Sequence, residues 1–514
     1  MKKMAVVAVV LILLLPLASG CSSLSPEDAY SMLVGHSLEI SRLDSISGLL
    51  GWDFETMMPP EGSEARGEAL AALEEVIQQK STIPEIGEWL RAANKKEDWA
   101  VVEAANLREW RKDYDRNRKI PEELVAREAK LATEGYQAWI EAREANDFQI
   151  FAPVLGELVE IHRERADCIG WEKERYDALL DLYEPQMTAE EYQELFGQLK
   201  EPLVELVSTA VERQGAPPVP MEGNFSLEAQ EAFSREVSQV LGFDFERGRM
   251  DSSVHPFTAI VWNTDVRFTT TYDEPDVLVP VLSTLHEIGH GIYEQNLLCD
   301  GTPAGMYASS GIHESQSRLR ENQIGRSEPF WQYFLPRFNQ VFSTDLTLEE
   351  IMDRVTRVEP GPTRTLADPV SYDLHIIIRF EIERDLINGN LEVAEVPAVW
   401  NEKYREYLGV EVQDDLQGVL QDIHWSCGSF GYFPTYTLGN IFAAQLFAAA
   451  GRNIDDLPGK ITAGDFSALN DWLSENIYQH GRVYPPQELI ELASGEPVSS
   501  AYLLDSLKEN YVNR

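Results

Sequence analysis

Two histidines and a glutamate stand close together in residues 282–295, which read LSTLHEIGHGIYEQ. His286 and His290 are four positions apart, and Glu287 directly follows the first histidine. On a helix both imidazoles would lie on one face and could bind the same metal ion, while Glu287 would take a proton from the water that the ion activates. A catalytic zinc site has three protein ligands and one open position. The segment therefore predicts a metallopeptidase centre whose third ligand comes from elsewhere in the chain.

The third ligand has two candidates in the segment SSGIHESQSRLRENQIG. The third histidine that some zinc peptidases carry six residues after the second is absent, because position 296 is asparagine. A serine at 309 or 310 can cap a second helix, from which Glu314 could face the first. Glu321 is a rival for this role, and Glu314 could instead form an ion pair with Arg318 one helical turn away. The spacing favours Glu314 as the ligand.

The elements that must position these groups are mostly helical by their periodicity. A first helix is predicted from Pro26, with Ser25 as its cap, and the acids and Pro275 before the HEIGH segment predict the start of another. In residues 254–272, VHPFTAIVW and the alternating DVRFTTTY read as two strands joined by a turn at 263–265. We therefore predict a mainly α protein with one small β-sheet beside the metal-binding helix. Further helices are predicted around 64–79, 101–118, 121–146, 151–169, 188–213, 227–241, 345–356, 395–407 and 464–480.

Composition and charge restrict the partners of the protein. The chain has 514 residues, 44% of them hydrophobic, which is enough to bury a large core. Its 86 acidic side chains against 43 Lys and Arg exclude nucleic acid and anionic membrane surfaces as electrostatic partners. Beyond Cys21 only Cys168, Cys299 and Cys427 remain, without a C-x-x-C pair, so we expect free thiols and no disulfide framework.

The N-terminus, MKKMAVVAVVLILLLPLASGCSS, has the pattern of an export signal. Its apolar run is shorter than the ~18–20 residues that a spanning helix needs. Small residues directly before Cys21 resemble a bacterial lipobox, so we expect residues 1–20 to be removed, Cys21 to be lipid-modified, and residues 21–26 to form a short tether. An ordinary signal peptide is the alternative. The anchored protein would lie on the cell envelope and touch the membrane only through its lipid, and the absence of an acidic residue after Cys21 favours the outer membrane.

Six short signatures occur along the chain in the order found in a known family. With them the chain resembles the carboxypeptidase Taq family of metallopeptidases from about residue 27 to residue 510. Thr363 departs from the family, which usually has Ile there, and Pro369 departs too, although it suits a helix that Asp368 caps. The signatures are HPF (255–257), DVRFT (265–269), HEIGH (286–290), HESQ (313–316), TRTLAD (363–368) and GVLQDIHW (418–425).

The resemblance implies a fold and a reaction. It implies an elongated, almost wholly helical fold with a deep groove between two lobes, a single catalytic domain over residues 27–514, and a homodimer. It implies His286, His290 and Glu314 as metal ligands and Glu287 as the general base, which agrees with the chemistry of these residues. It also implies removal of single residues from peptide C-termini with broad side-chain tolerance. We expect Zn²⁺ as the ion, and Co²⁺ also suits these ligands.

A carboxypeptidase must also recognise the free carboxylate of its substrate, a task that suits the planar fork of arginine. Arg364 in the TRTLAD signature is the first candidate, and Arg267 in the predicted strand is the second. The alternative for Arg364 is a structural ion pair with a nearby acid such as Glu359 or Asp368.

Other candidates concern the oxyanion and the orientation of the ligands. His424 and Tyr432 could donate hydrogen bonds to a tetrahedral intermediate, or could be packed core residues. His255 and His313 are predicted to orient a metal ligand through a hydrogen bond. Two other functions stay open from the residues: an oligopeptidase that cuts internally, and a surface lipoprotein that binds peptides or metal without turnover.

Overall fold

The computed structural model describes residues 24–253, 255–272 and 276–513. Most of these residues are helical, and one small sheet lies in the middle of the chain, so the predicted fold class is confirmed. Within the described residues, no helix combines the length and apolarity that crossing a bilayer requires. Predictions that concern Cys21 and the signal segment lie outside the described residues.

Nine helices precede the sheet in the described part of the chain. The predicted helices in this half are present, with ends that differ by at most three residues. They are α1 (Pro26–Thr56), α2 (Ser63–Ser81), α3 (Pro84–Ala93), α4 (Val101–Lys119), α5 (Glu122–Ala145), α6 (Phe148–Ile169), α7 (Arg175–Leu180), α8 (Ala189–Arg213) and α9 (Leu227–Leu241).

Eleven further helices follow the sheet in the described residues. They are α10 (Leu278–Asn296), α11 (Ser310–Arg318), α12 (Glu328–Phe342), α13 (Leu348–Val355), α14 (Tyr372–Asn388), α15 (Val396–Lys403), α16 (Pro434–Asn453), α17 (Leu457–Thr462), α18 (Ser467–Asn476), α19 (Pro486–Ser494) and α20 (Ala501–Tyr511). A π-helical segment, Leu319–Ile324, continues α11.

The sheet has three strands in the order β1-β3-β2, where the sequence predicted two. The predicted hairpin is present as β2 (Thr258–Trp262) and β3 (Asp265–Thr270), which pair antiparallel. The additional strand β1 (Gly248–Ser252) pairs with β3 in parallel. Its sequence GRMDS has one buried residue, Met250, so it carries no alternation by which to recognise it.

Helix α10, which carries the HEIGH segment, is buried along most of its length. Its predicted start at residues 273–275 lies outside the described residues. On its inner side α10 meets α11 so closely that a Cβ at Gly289 would come 2.3 Å from the carbonyl oxygen of Gln316. On the other side of α11, a Cβ at Gly439 in α16 would come 2.5 Å from Cγ of Glu314. Two glycines therefore allow α10, α11 and α16 to pack around Glu314.

Two helix starts test the predicted caps. Ser309 caps α11 by accepting a hydrogen bond from the amide of Ile312 at 3.0 Å, as one of the two predicted caps. Helix α14 begins at Tyr372 and not at Pro369, which corrects the prediction. Asp368 instead caps the turn before that helix, because its Oδ1 accepts from the amides of Val370 at 2.9 Å and Ser371 at 3.0 Å.

Candidate active site

Three side chains from α10 and α11 converge at the centre of the site. Nε2 of His286 lies 3.8 Å from Oε2 of Glu314, and Nε2 of His290 lies 3.5 Å from the same oxygen. These three ligand atoms all lie within 4.8 Å of one another. Two imidazole nitrogens and one carboxylate oxygen form the donor set of many catalytic zinc sites, so the residues present fit a divalent ion. The structure thus brings together the three predicted ligands.

Arg318 fixes how Glu314 faces the two histidines. Its Nε donates to Oε1 of Glu314 at 2.6 Å, so that only Oε2 is directed toward the imidazoles. An ion pair with Arg318 was the alternative to a ligand role for Glu314. In the structure Glu314 forms this ion pair through one oxygen and faces the two histidines with the other. Arg318 also donates to Oε2 of Glu321 at 3.2 Å.

Glu321, the rival ligand, lies on the other side of His286. Its Oε2 is 2.9 Å from Nδ1 of His286, the nitrogen that faces away from Glu314. Although burial raises the pKa of Glu321, Arg318 and the hydrogen bond with His286 lower it to about 2, so this carboxylate stays charged. A carboxylate in this position fixes the tautomer and the orientation of a histidine ligand. Glu321 was predicted as a rival metal ligand, but the sequence could not show that it would contact Nδ1 of His286.

Glu287 is held by the small sheet. Thr258 in β2 donates to Oε2 of Glu287 at 2.7 Å, and the same hydroxyl lies 3.1 Å from its main-chain oxygen. Glu287 is buried, and burial raises its pKa. A carboxylate with a raised pKa is a better proton acceptor, and one of its oxygens is not engaged by Thr258. Thr258 escaped the sequence analysis, although the hairpin that carries it was predicted.

The ring of His313 stacks on that of His290, a candidate metal ligand. Its ring lies 4.4 Å from the ring of His290, with an angle of 26° between the planes. Its Nε2 is 2.9 Å from Oε1 of Glu294. His255 has an exposed side chain, and no hydrogen bond joins it to the three candidate ligands among the described residues. No hydrogen bond from the side chain of either histidine joins it to a candidate ligand among the described residues, and their role in orienting a ligand stays a prediction.

His424 and Tyr432 lie together, and Tyr432 is close enough to Glu314 to be affected by its charge. Their rings stack at 5.7 Å, and Nε2 of His424 is 3.1 Å from the hydroxyl of Tyr436. Burial and the nearby Arg364 lower the pKa of His424 to about 3, so the ring is neutral at physiological pH. Burial, followed by the charge of Glu314, raises the pKa of Tyr432, which keeps its hydroxyl proton available for donation. Tyr436, four positions after Tyr432 in YFPTY, was missed, and that spacing was the available signal.

Arg364 is buried in a cluster of charged and aromatic groups. Its Nε donates to Oδ1 of Asp422 at 2.8 Å, and its Nη1 donates to the hydroxyl of Tyr372 at 3.1 Å. Oδ2 of Asp422 accepts from Nε of Arg379 at 2.7 Å, so one carboxylate lies between two guanidinium groups. The ion pair expected as the alternative for Arg364 thus exists, but with Asp422 and not with Glu359 or Asp368. The three side chains together keep one net positive charge.

Arg267 is engaged within its own strand. Its Nε and Nη2 donate to the two carboxylate oxygens of Asp265 at 2.7 and 2.8 Å. The guanidinium also lies 5.8 Å from the ring of Trp52. A bidentate pair occupies the face of the fork that a substrate carboxylate would need. Asp422 likewise meets both Nε and Nη2 of Arg364 at 2.8 Å, but it also pairs with Arg379, so only the cluster around Arg364 keeps a net positive charge. This charge favours Arg364 over Arg267 for carboxylate recognition.

Comparison with known proteins identifies the class of this site. The Carboxypeptidase Taq (M32) metallopeptidase family matches residues 32–511. Thermostable carboxypeptidase 1 of Thermus thermophilus is 40% identical over 508 residues, which cover 95% of this chain and 99% of that protein. Carboxypeptidase 1 of Bacillus subtilis is 36% identical over 481 residues, which cover 92% of this chain and 96% of that protein.

Solved structures give the same result. Metallocarboxypeptidase 1 of Trypanosoma cruzi superposes with a TM-score of 0.92 at 38% identity, over 95% of this chain and 100% of that chain. An M32 carboxypeptidase from Deinococcus radiodurans R1 also superposes with a TM-score of 0.92, at 36% identity, over 94% of this chain and 99% of that chain.

The fold, the His and Glu cluster and these likenesses define a metallocarboxypeptidase. The chain belongs to the carboxypeptidase Taq (M32) metallopeptidase family, as its six signatures predicted. It is a metal-dependent carboxypeptidase, and peptides are its substrates. The prediction that it binds a divalent metal is confirmed at this level.

Proposed function

We propose that this protein removes single residues from peptide C-termini with broad specificity, using His286, His290 and Glu314 as metal ligands. The observation that carries the proposal is the convergence of their three ligand atoms within 4.8 Å, with Glu287 on the same helix as both histidines. Zn²⁺ is the proposed ion, and Co²⁺ is the alternative. When bound, such an ion supplies Lewis acidity and lowers the pKa of a bound water molecule toward neutrality.

Side chains of the protein would then transfer the proton, donate a hydrogen bond to the carbonyl oxygen and orient a ligand. Glu287 accepts a proton from the attacking water and passes it to the leaving amine, a task that its burial favours. Tyr432, with His424 stacked against it, donates a hydrogen bond to the oxygen of the scissile carbonyl. Nδ1 of His286 is held by Glu321, which supports one orientation of this ligand.

Arg364 is the proposed site for the terminal carboxylate of the substrate. Asp422 cannot neutralise both Arg364 and Arg379, so the cluster keeps a positive charge that a second carboxylate can satisfy. Because Asp422 holds Arg364 from one side, the guanidinium does not have to be ordered when a substrate binds. The geometry therefore supports recognition of peptide ends over cleavage within peptides.

The experiment that tests this proposal compares two peptides of one sequence, one with a free C-terminus and one with a C-terminal amide. Mass spectrometry of the free peptide should show a ladder of products that lose one residue at a time. The amidated peptide should be cleaved far more slowly. Rapid internal cleavage of the amidated peptide would instead favour an oligopeptidase, and an unchanged pool with metal bound would favour a binding protein.

Export and assembly are proposed from the sequence and the family resemblance. We propose removal of residues 1–20, lipid modification of Cys21, a tether over residues 21–26, one catalytic domain over residues 27–514, and a homodimer. Expression with a radiolabelled fatty acid tests the anchor, since Cys21→Ser should abolish the label. Light scattering of the protein without its lipid should give twice the mass of one chain.

A further inference from the structure

A pocket of about 450 Å³ lies one helical turn from the metal site, where Leu282 of α10 forms part of its wall. Three arginines line it: Arg326 and, at the C-terminal end of α13, Arg354 and Arg357. In a chain with 86 acidic and 43 basic residues, three guanidinium groups around one pocket require an explanation. This group is called the three-arginine pocket below.

Arg354 is the one of the three arginines that forms no salt bridge with the described residues. Its Nη2 donates to the main-chain oxygen of Val219 at 2.7 Å, and its Nε is buried without a hydrogen-bond partner. No ion pair to Arg354 is formed within the described part of the chain. Glu350, one turn earlier, is exposed, and its Oε2 is engaged by the amide and the hydroxyl of Thr347 at 2.8 and 2.9 Å.

The two other arginines add positive charge to the wall of the pocket, and each of their guanidinium nitrogens has a partner. Arg357 pairs with Oε1 of Glu359 at 2.8 Å, a residue whose side chain is 66% exposed at the rim. Nη1 of Arg326 donates to the main-chain oxygen of Val355 at 2.8 Å, and its Nη2 lies 3.6 Å from Oε1 of Glu321. The other carboxylate oxygen of Glu321 is the one that meets His286.

The remaining acids of the pocket are engaged by backbone donors. Oδ1 of Asp276 accepts from the amide of Leu278 at 3.1 Å. Asp368 accepts from three amides and from the hydroxyl of Ser371, which lies 2.7 Å from its Oδ2. These carboxylates stabilise turns and do not pair with Arg354. Nε of Arg354 is too enclosed to meet a ligand, whereas no hydrogen bond from its Nη1 is formed among the described residues, so Nη1 is the donor that an anion in the pocket could meet.

The rim of the pocket is apolar. Leu366 is 79% exposed and Val279 is 40% exposed, although both are large hydrophobic side chains that line this pocket. Leu366 lies on the same short turn as the buried Arg364, Arg364–Leu366, but neither Arg364 nor Asp422 lines the pocket. Guanidinium groups beside exposed hydrocarbon match a ligand that carries a carboxylate next to an apolar group.

We propose that the three-arginine pocket binds a small organic carboxylate, with Arg354 contacting the carboxylate and Leu366 and Val279 contacting the apolar part. Both a fatty acid and a free amino acid or peptide end have this chemistry. Arg326 lines the pocket and also lies beside Glu321, the carboxylate that contacts His286. The three-arginine pocket is therefore adjacent to a residue that holds a candidate metal ligand. The proposal concerns binding and does not depend on the reaction mechanism.

The test measures binding of hexanoate and of N-acetyl-L-leucine to the full-length, metal-loaded protein without peptide, by titration calorimetry. The first ligand represents a fatty acid and the second a peptide end, and hexylammonium reverses the charge. We expect a saturable site for at least one carboxylate that depends on Arg354, separate from any binding of N-acetyl-L-leucine at Arg364, and no saturable site for hexylammonium. Arg354→Gln should weaken that binding at least about tenfold, because a hydrogen bond to a charged group is lost.

Three further variants separate the pocket from general charge effects. Arg337→Gln removes an exposed arginine paired with Glu236 and should leave the affinity unchanged. Leu366→Ser should weaken hexanoate but not acetate. Arg357→Gln gives a second test of the charge if Arg354→Gln does not fold. The absence of a saturable carboxylate site, or equal affinity in the wild type and both arginine variants, would overturn the proposal.

Discussion

At the scale of single residues, the site depends on carboxylates that have different partners. Glu314 directs one oxygen to the histidines because Arg318 holds the other, and Glu321 meets the far nitrogen of His286. Glu287 is placed by a hydroxyl from the sheet. The three glutamates of the site thus differ in the groups that they contact, and these contacts set the position of each carboxylate.

Replacing Glu287 by glutamine should remove the general base and leave the ligands intact. The amide cannot take a proton from water, so we expect kcat to fall by roughly 10²–10⁴-fold or more. Metal content, measured by elemental analysis, should equal that of the wild type, because Glu287 is not among the three converging ligands. Turnover near the wild-type rate in Glu287→Gln would contradict the assignment of the base.

Replacing Glu321 by glutamine should weaken metal binding without removing a ligand. The charged partner of Nδ1 of His286 is lost, and such changes typically lower metal affinity roughly 10- to 100-fold. Competition with a chelator measures this affinity independently of activity. Glu194→Gln, an exposed change of the same kind on α8, is the control and should retain the wild-type affinity. Equal metal retention in both variants would show that Glu321 does not support the ligand.

At the scale of elements, close contacts between helices position the ligands. Gly289→Ala should disrupt the contact of α10 with α11, because the new Cβ would lie 2.3 Å from a main-chain oxygen that cannot move freely. We expect a loss of stability of about 1–3 kcal/mol and weaker metal binding, since α11 carries Glu314. Thermal unfolding and metal titration measure the two effects.

The matched control for this change is Gly197→Ala in α8. No atom lies within 4 Å of a Cβ at that position, so alanine should stabilise the helix by roughly 0.5–1 kcal/mol. If both alanine variants unfold at the wild-type temperature, the packing argument for Gly289 fails.

The N-terminus of α11 also binds a buried carboxyl group. Burial raises the pKa of Glu184 to about 8, although Ser309 and the amide of Gly311 donate to it at 3.0 and 2.9 Å. Between about pH 4.5 and pH 8 the unfolded chain loses this proton and the folded chain keeps it, so stability falls as the pH rises through this window. Unfolding in urea at several pH values should show a flatter profile for Glu184→Gln. An unchanged slope would mean that Glu184 is ionised in the fold.

At the scale of the whole molecule, the dominant property is the net charge of −43. The field of such a surface attracts cations and repels anions over distances set by the salt concentration. For a lysine-rich peptide we expect kcat/KM to fall between about 0.01 M and 0.15 M ionic strength, where the Debye length shortens from about 30 Å to about 8 Å. For a glutamate-rich peptide with the same last three residues it should rise. The same salt response for both peptides would exclude steering by the field.

The helices and the hairpin were predictable because hydrophobic periodicity and turn residues are local properties of the chain. Strand β1 was not, since GRMDS has no pattern of its own and becomes a strand only by pairing with β3. For the same reason Asp422 could not be assigned to Arg364 in advance: these residues are 58 positions apart and meet only through packing. Thr258 was missed because it acts through Glu287, which lies 29 positions further along the chain, whereas Tyr436 could have been found from its spacing to Tyr432.

The sequence by itself determined the reaction class. The spacing of His286, Glu287 and His290 places them on a single helix by geometry that acts over one turn, and six ordered signatures identify the family. Only the tertiary structure shows that Glu314 faces Nε2 of His286 and Glu321 its Nδ1, because both glutamates lie on one short stretch and the packing of α11 against α10 determines which oxygen meets which nitrogen. Only the tertiary structure also reveals that Arg364 shares Asp422 with Arg379, because these residues meet through packing, while the role of Arg364 in binding a substrate carboxylate stays a prediction.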